Sequence, residues 1–279
     1  MTWRILNLRP LRSGGNGDLF IGQRSDTGQQ VVVKYLRESH LVHARKAFAR
    51  EVRVLKRRAR GMVPLLHADT ETDRPYYVMP YLRGGSLSRY AGNLSDIQLH
   101  SIAKELALIL AGLHAAYVEH GDVKPDNVLA SDDGHLQVAD PLGNGVGCTV
   151  LFSQNHGGTP GYWPPEICAG SPISQAGDVY SYGATLYELS TGRKPQDGQR
   201  LDLNSERDVK APKIRDLIAA CCQSDPNARP TMGEVVRILD GKQWADIRAE
   251  QEKRKELLKG VCLVGGLALL VTALLNSNG

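Results

Sequence analysis

His120-Gly-Asp-Val-Lys-Pro-Asp-Asn127 sets five polar or charged groups in one short loop between apolar runs. A loop of that composition is a place for chemistry. Asp122 can accept or orient a hydroxyl proton, and Lys124 can neutralise charge on a group in transit. Asn127 can present a carbonyl oxygen to a divalent cation. Together they suit phosphoryl transfer, whereas the bland alternative is an Asx-rich turn that only caps two neighbouring elements.

The stretch resembles the H-R-D-x-x-x-x-N catalytic loop of protein kinases, and the chain is identified on it as a suspected member of the eukaryotic-like (Hanks-type) protein serine/threonine kinases. That resemblance implies an α+β, bilobal protein-kinase fold, with a small β-rich N-lobe and a larger helical C-lobe. It also implies other parts at set places in the chain.

Upstream, Leu11-Arg-Ser-Gly-Gly-Asn-Gly-Asp-Leu-Phe20 is a glycine-rich turn, followed by the turn signal Asp26-Thr27-Gly28 and the β-branched run Val31-Val-Val33. This order predicts a hairpin, because a dinucleotide loop would lead into a helix. Glycines leave backbone N–H groups open to phosphate. Lys34 ends the β-branched run, and Phe48, Val52 and Leu55 mark an apolar helical face beside Glu51. The family's V-A-I-K pattern makes Lys34 and Glu51 an ion pair that positions ATP phosphates. The same helix is otherwise basic, from Arg45 to Arg60, which reads as a solvated face or as a contact for anionic lipid or an acidic regulator.

Tyr76-Tyr-Val-Met79 reads as a strand, and the segment after it resembles the kinase hinge, with Met79 as gatekeeper. Adenine would then meet the carbonyl of Pro80 and the N–H of Leu82, since proline lacks only its N–H. Ser95-Asp-Ile-Gln98 is a capping box that opens an apolar helix running to about His114. Beyond the catalytic loop, Asp140 stands where the family's metal-binding D-F-G aspartate would be. Gly158-Thr-Pro-Gly-Tyr-Trp-Pro-Pro-Glu166 resembles the end of an activation segment. Within it, Thr159 with Lys124 resembles the serine/threonine-type signature. Asp178 would brace the catalytic loop, and Arg229 would pair with Glu166 in a buried salt bridge.

The resemblance covers roughly residues 8–240 and implies these roles. Asp122, Lys124, Lys34, Glu51 and Thr159 are catalytic. Gly14, Gly15, Gly17, Lys34, Met79, Pro80 and Leu82 bind ATP. Asn127 and Asp140 hold Mg²⁺, with Mn²⁺ as an alternative. Two departures stand out. Arg12 occupies the first glycine position, where it could crowd the adenine or sugar, and Asp140-Pro-Leu-Gly143 replaces D-F-G in one of two registers. These keep a second reading open, that of a pseudokinase binding nucleotide as a membrane-tethered scaffold.

The chain has 279 residues, of which 42% are hydrophobic and 23% charged, an ordinary globular balance. A net charge of +4 gives no argument for a nucleic-acid partner. The five cysteines are odd in number and form no C-x-x-C pair, so a reducing cytosol fits better than a disulfide framework. No apolar run at the N-terminus is long enough for a signal peptide.

The other end differs. Val261 to Leu275 carries no charge, and Leu257 to Leu275 is interrupted only by Lys259. As a helix the longer stretch would reach roughly 28 Å at about 1.5 Å per residue, near the hydrocarbon thickness. The expected organisation is a kinase domain over 1–242 (N-lobe about 1–80, C-lobe about 81–242), a charged juxtamembrane helix over 243–259 and a transmembrane helix over 260–275. Lys253, Arg254, Lys255 and Lys259 would keep the kinase domain cytoplasmic under the positive-inside rule, as a single-pass membrane protein. The alternative is a helix packed on the C-lobe or in an oligomer, and a homodimer on the membrane stays open.

Overall fold

The computed structural model describes residues 3–13, 17–142, 161–196, 209 and 211–253. The chain divides into two compact units, Met1–Val236 and Arg237–Gly279.

The first unit begins with β1 (Ile5–Ser13), β2 (Gly17–Arg24) and β3 (Gln30–Leu36), then helix α1 (Val42–Leu55), β4 (His67–Asp69) and β5 (Tyr76–Pro80). The strands form one antiparallel sheet in the order β1-β2-β3-β5-β4. Strand periodicity divides the β-branched run between two faces. Val31 and Val33 pack with Val78 in a fully buried cluster flanked by Trp3, Phe20 and Tyr76. Lys34 lies on the opposite face, and the β3–β5 register sets it against Tyr77.

Helix α1 buries Phe48, Glu51, Val52 and Leu55, the face expected from the sequence, and has no side-chain N-cap and no acid in its first turn. Tertiary contacts hold it instead. The Arg45 guanidinium donates to the carbonyls of Ser39 at 2.8 Å and Thr72 at 2.7 Å, tying the start of the helix to the β4–β5 turn. Further along, Phe48 lies over Tyr77 with ring centroids 5.5 Å apart.

The rest of this unit is mainly helical. A short strand β6 (Gly85–Ser86) pairs with β7 (Val128–Ala130), which pairs with β8 (Leu136–Val138). Helix α2 (Asp96–Ala115) starts on the expected capping box: Gln98 N–H donates to Ser95 Oγ and Ser95 N–H to Gln98 Oε1. Its Ala103, Leu106, Leu110 and Leu113 are fully buried. Then come α3 (Pro165–Cys168), α4 (Gln175–Thr191), α5 (Pro212–Cys221) and α6 (Met232–Leu239).

Helix α4 is the hub, buried along nearly its whole length and pinned to α2 by the Tyr182 hydroxyl donating to the Ala103 carbonyl at 2.9 Å. Gly183 lets α4 and the end of α5 meet, because a Cβ there would lie 2.6 Å from Cys222 Sγ. Sheet and helical lobe thus match the small and large lobes of the expected α+β, bilobal arrangement.

In the second unit residues 244–253 are helical (α7), and Arg237 pairs with Glu250 at 2.5 Å. Among the described residues no helix is long and apolar enough to cross a membrane. The transmembrane helix expected over 260–275 lies outside the described residues, as does the end of the juxtamembrane run.

Candidate active site

The loop after α2 is built from beneath by Asp178 on α4. Its carboxylate accepts the backbone N–H groups of His120 at 2.8 Å and Gly121 at 2.7 Å, and it meets His114 Nε2 at 2.9 Å. All of this is buried, so the backbone is fixed before any side chain acts. His120 lies fully buried with Nε2 at 2.9 Å from the Ala139 carbonyl, and burial lowers its pKa. Gly121 is required at φ +80°, a left-handed conformation costly for other residues.

On this base the side chains converge. Asp122 Oδ2 accepts from Lys124 Nζ at 2.6 Å and from Asn127 Nδ2 at 2.8 Å. Asn127 Nδ2 also donates to the Asp122 carbonyl at 2.9 Å, across the 3-10 turn Pro125–Asn127. The other oxygen, Asp122 Oδ1, is buried with no hydrogen-bond partner among the described residues. An unmatched carboxylate oxygen under cover costs free energy, about 1 to 3 kcal/mol or more, and is what a proton acceptor awaiting its donor looks like.

The second group of charges lies between the sheet and α1. Lys34 Nζ meets Glu51 Oε1 at 2.8 Å and Asp140 Oδ2 at 3.1 Å. The Tyr77 hydroxyl lies 2.6 Å from Glu51 Oε1 and 3.0 Å from Asp140 Oδ1. Burial alone would depress the lysine's pKa, but Asp140 and then Glu51 outweigh it and the value is raised. Burial pushes Glu51 up against the pull of Lys34. For Asp140 burial acts in the same sense, yet attraction to Lys34 prevails and the pKa is lowered. Tyr77 is raised well above the ordinary phenol range, first by burial and then by the two carboxylates. Asp140 has φ +57°, and with proline after it its carboxylate still meets Lys34 at 3.1 Å. Leu142 N–H donates to the His120 carbonyl at 2.8 Å and anchors the segment to the loop.

Several expected nucleotide contacts lie around this cluster. Gly17 opens β2 where a Cβ would come within 2.7 Å of the Tyr35 carbonyl and 3.2 Å of the Lys34 side chain, so only glycine lets the strand pass there. Met79 is buried on β5, Pro80 closes that strand opposite Val31, and Leu82 N–H makes no hydrogen bond among the described residues. Gly14, Gly15 and Thr159 lie outside the described residues. Arg12 is turned to solvent, where Nη1 meets Asp126 Oδ1 at 3.2 Å with its side chain 62% exposed. Asp126 also accepts from the Ser88 hydroxyl at 3.2 Å.

The donor set fits a divalent cation and a triphosphate only in combination. Asn127 Oδ1 makes no hydrogen bond among the described residues, and Asp140 is one-third exposed. Among the described residues no group of three or more His, Cys, Asp or Glu side chains could hold a metal ion, while the oxygens of Asn127 and Asp140 are of the kind a hard divalent cation takes beside phosphate or water.

The sequence matches the protein kinase domain over residues 7–238. The chain belongs to the protein kinase family. It is 32% identical over 255 residues to "Probable serine/threonine-protein kinase PkwA" of Thermomonospora curvata, covering 85% of this chain and 34% of that protein. Identity is 33% over 214 residues to serine/threonine-protein kinase PknA of Nostoc sp., covering 68% and 37%. With CBL-interacting protein kinase 25 of Oryza sativa it is 28% over 268 residues, covering 85% and 51%. The chain therefore spans a third to a half of the length of these curated relatives.

In this kinase domain the sequence reading missed Tyr77 and Asp126. Tyr77 was legible only through strand alternation, since a residue two before Met79 shares its face and, once β3 is paired, faces Lys34. Asp126 carries no spacing signal of its own.

Proposed function

We propose that this chain is a protein serine/threonine kinase that moves the γ-phosphoryl group of ATP to a protein hydroxyl. The observation that carries this reading is Asp122: one carboxylate oxygen held by Lys124 and Asn127, the other buried and unmatched among the described residues. That Oδ1 takes the proton of the substrate hydroxyl while the hydroxyl oxygen takes over the phosphoryl group from ADP. Lys124, 2.6 Å from the same carboxylate, balances negative charge on the group in transit. Lys34, oriented by Glu51, positions the α- and β-phosphates, and Leu82 N–H orients adenine. Asn127 Oδ1 and Asp140 would hold Mg²⁺ or Mn²⁺, which when bound supplies charge neutralisation between phosphate oxygens. Catalysis is then mostly placement and charge.

The family resemblance of the relatives named above and the outward turn of Arg12 both weigh against a pseudokinase. Transfer of labelled phosphate from ATP to a generic protein substrate tests the reading directly. The expected result is transfer by the wild type, reduced at least about a hundredfold in Lys34→Met and in Asp122→Asn. Transfer that survives Asp122→Asn unchanged would refute the assignment.

We further propose that the uncharged stretch Val261–Leu275 anchors the domain to a membrane as a single-pass helix, with the kinase domain in the cytoplasm beside its protein substrate. The basic residues before the stretch support that orientation. Carbonate extraction of the full chain beside one ending at Lys255 checks it, and recovery of the full chain in the soluble fraction would rule it out.

A further inference from the structure

The cluster around Lys34 contains a group that the phosphoryl-transfer chemistry does not require. Tyr77 is fully buried on β5, and its hydroxyl lies between two carboxylates, at 2.6 Å from Glu51 Oε1 and 3.0 Å from Asp140 Oδ1. With Lys34 it closes a ring of four: ammonium, Glu51, hydroxyl, Asp140 and back to the ammonium at 3.1 Å. A phenol carries one hydrogen. It can donate to one of the two carboxylates at a time, and the other then faces an oxygen lone pair.

We infer that Tyr77 is a positioning residue that shares this single hydrogen between Glu51 and Asp140, and so couples helix α1 to the carboxylate that would meet the cation. The inference rests on the proposed kinase reading. When Asp140 has only Lys34 for company, it competes with Glu51 for the tyrosine hydrogen. Once a cation satisfies Asp140, the hydrogen commits to Glu51, where the shorter contact already points. Glu51 then accepts from both Lys34 and Tyr77, and the buried face of α1 is held with it. Occupancy at one carboxylate is thereby read out at the other, through one O–H bond and without a moving loop.

Arg45 ties down the uncapped start of α1, and Glu51 in the ring anchors its interior. Tyr77 stacks on Phe48 of the same helix, so its ring is fixed and only its hydrogen has a choice.

Tyr77→Phe keeps the ring and removes the hydrogen. Calorimetric titration of the full chain with Mn²⁺ and a non-hydrolysable ATP analogue, read beside steady-state turnover with Mg²⁺, gives the test. In Tyr77→Phe the cation should bind about threefold tighter, because Asp140 has one fewer partner to leave. The kcat should fall about tenfold, the size of one charge-assisted hydrogen bond, because Glu51 and Lys34 lose a fixed partner. Glu51→Gln should weaken cation binding more in the wild type than in the Tyr77→Phe background, the non-additivity that coupling demands.

Unchanged cation affinity overturns the inference. So does weaker affinity that falls in step with the melting temperature, since that is the result of a merely structural tyrosine. A wild-type chain that binds cation and analogue but transfers no phosphate removes the kinase reading and leaves the calorimetric arm decisive for Tyr77. A wild-type chain that binds neither sinks both.

Discussion

Lys34 with Glu51 and Asp140, and Arg229 with Glu166, are both buried ion networks, but their charges are settled differently. Arg229, with a fully buried side chain, gives Glu166 two bonds at 2.6 and 2.8 Å. Its remaining donors reach the carbonyls of Gln223 at 2.8 Å and Ala176 at 2.9 Å, with Ser224 at 3.3 Å. One positive charge meets one negative charge and the guanidinium is saturated. Lys34 faces two carboxylates and a hydroxyl with one hydrogen to share, so its cluster carries surplus negative charge. A balanced network holds a fold together. An unbalanced one with a partly exposed carboxylate invites a cation.

The sharpest way to break this comparison is to measure stability on both sides of it. Arg229→Ala leaves Glu166 without its partner and strips hydrogen bonds from the carbonyls of Gln223, Ala176 and Ser224, which should cost about 3 to 5 kcal/mol by chemical denaturation. If the loss is below about 1 kcal/mol, the network is not the brace its geometry implies.

Lys34→Met should cost less, about 1 to 3 kcal/mol, while abolishing phosphate transfer. Asp140, one-third exposed, can turn to water when the lysine is gone, and Tyr77 still donates to Glu51. Here the two networks should separate: one variant loses fold, the other loses chemistry. Equal destabilisation in both would mean that the Lys34 cluster is a structural network like that of Arg229.

Much of this contrast could be read in the chain itself. Lys34, Glu51, Asp122, Asn127, Glu166 and Arg229 are all legible from motif order, and the Ser95 capping box from local chemistry, because each depends on spacing within one element or on a fixed sequence pattern. Tyr77 was not, because its role depends on which face of β5 it takes and what α1 delivers opposite. The backbone of Asp140 at φ +57° was equally invisible, since sequence reading left the register of Pro141 and Leu142 open. By sequence Arg12 could crowd the adenine or sugar, whereas its exposed guanidinium finds Asp126, a residue 114 positions away that only the folded chain brings near. Local rules reached the parts, and the shared hydrogen bonds between parts came only with tertiary packing.

Another buried carboxylate tests what a tyrosine does for an acid when, among the described residues, no ammonium lies in contact with it. Glu188 on α4 is buried and accepts from the Tyr162 hydroxyl. Burial raises its pKa, and neither that bond nor the more distant Lys194 fully offsets the effect; Asp126 adds to the rise. The folded chain thus keeps this proton to higher pH than the unfolded chain does. The sign follows from linkage. Any stability Glu188 adds is complete below the ordinary glutamate pKa, about 4.3, and is lost as pH climbs through the raised folded value. Glu188→Gln cannot lose a proton, so its melting temperature should gain on the wild type as pH rises from about 4 to about 7. The effect should be the smallest of the three, because the Tyr162 bond partly compensates the charge. If the two melting curves run parallel across that range, the hydroxyl alone suffices for a buried carboxylate, and the surplus charge around Lys34 loses its claim to be what marks the site.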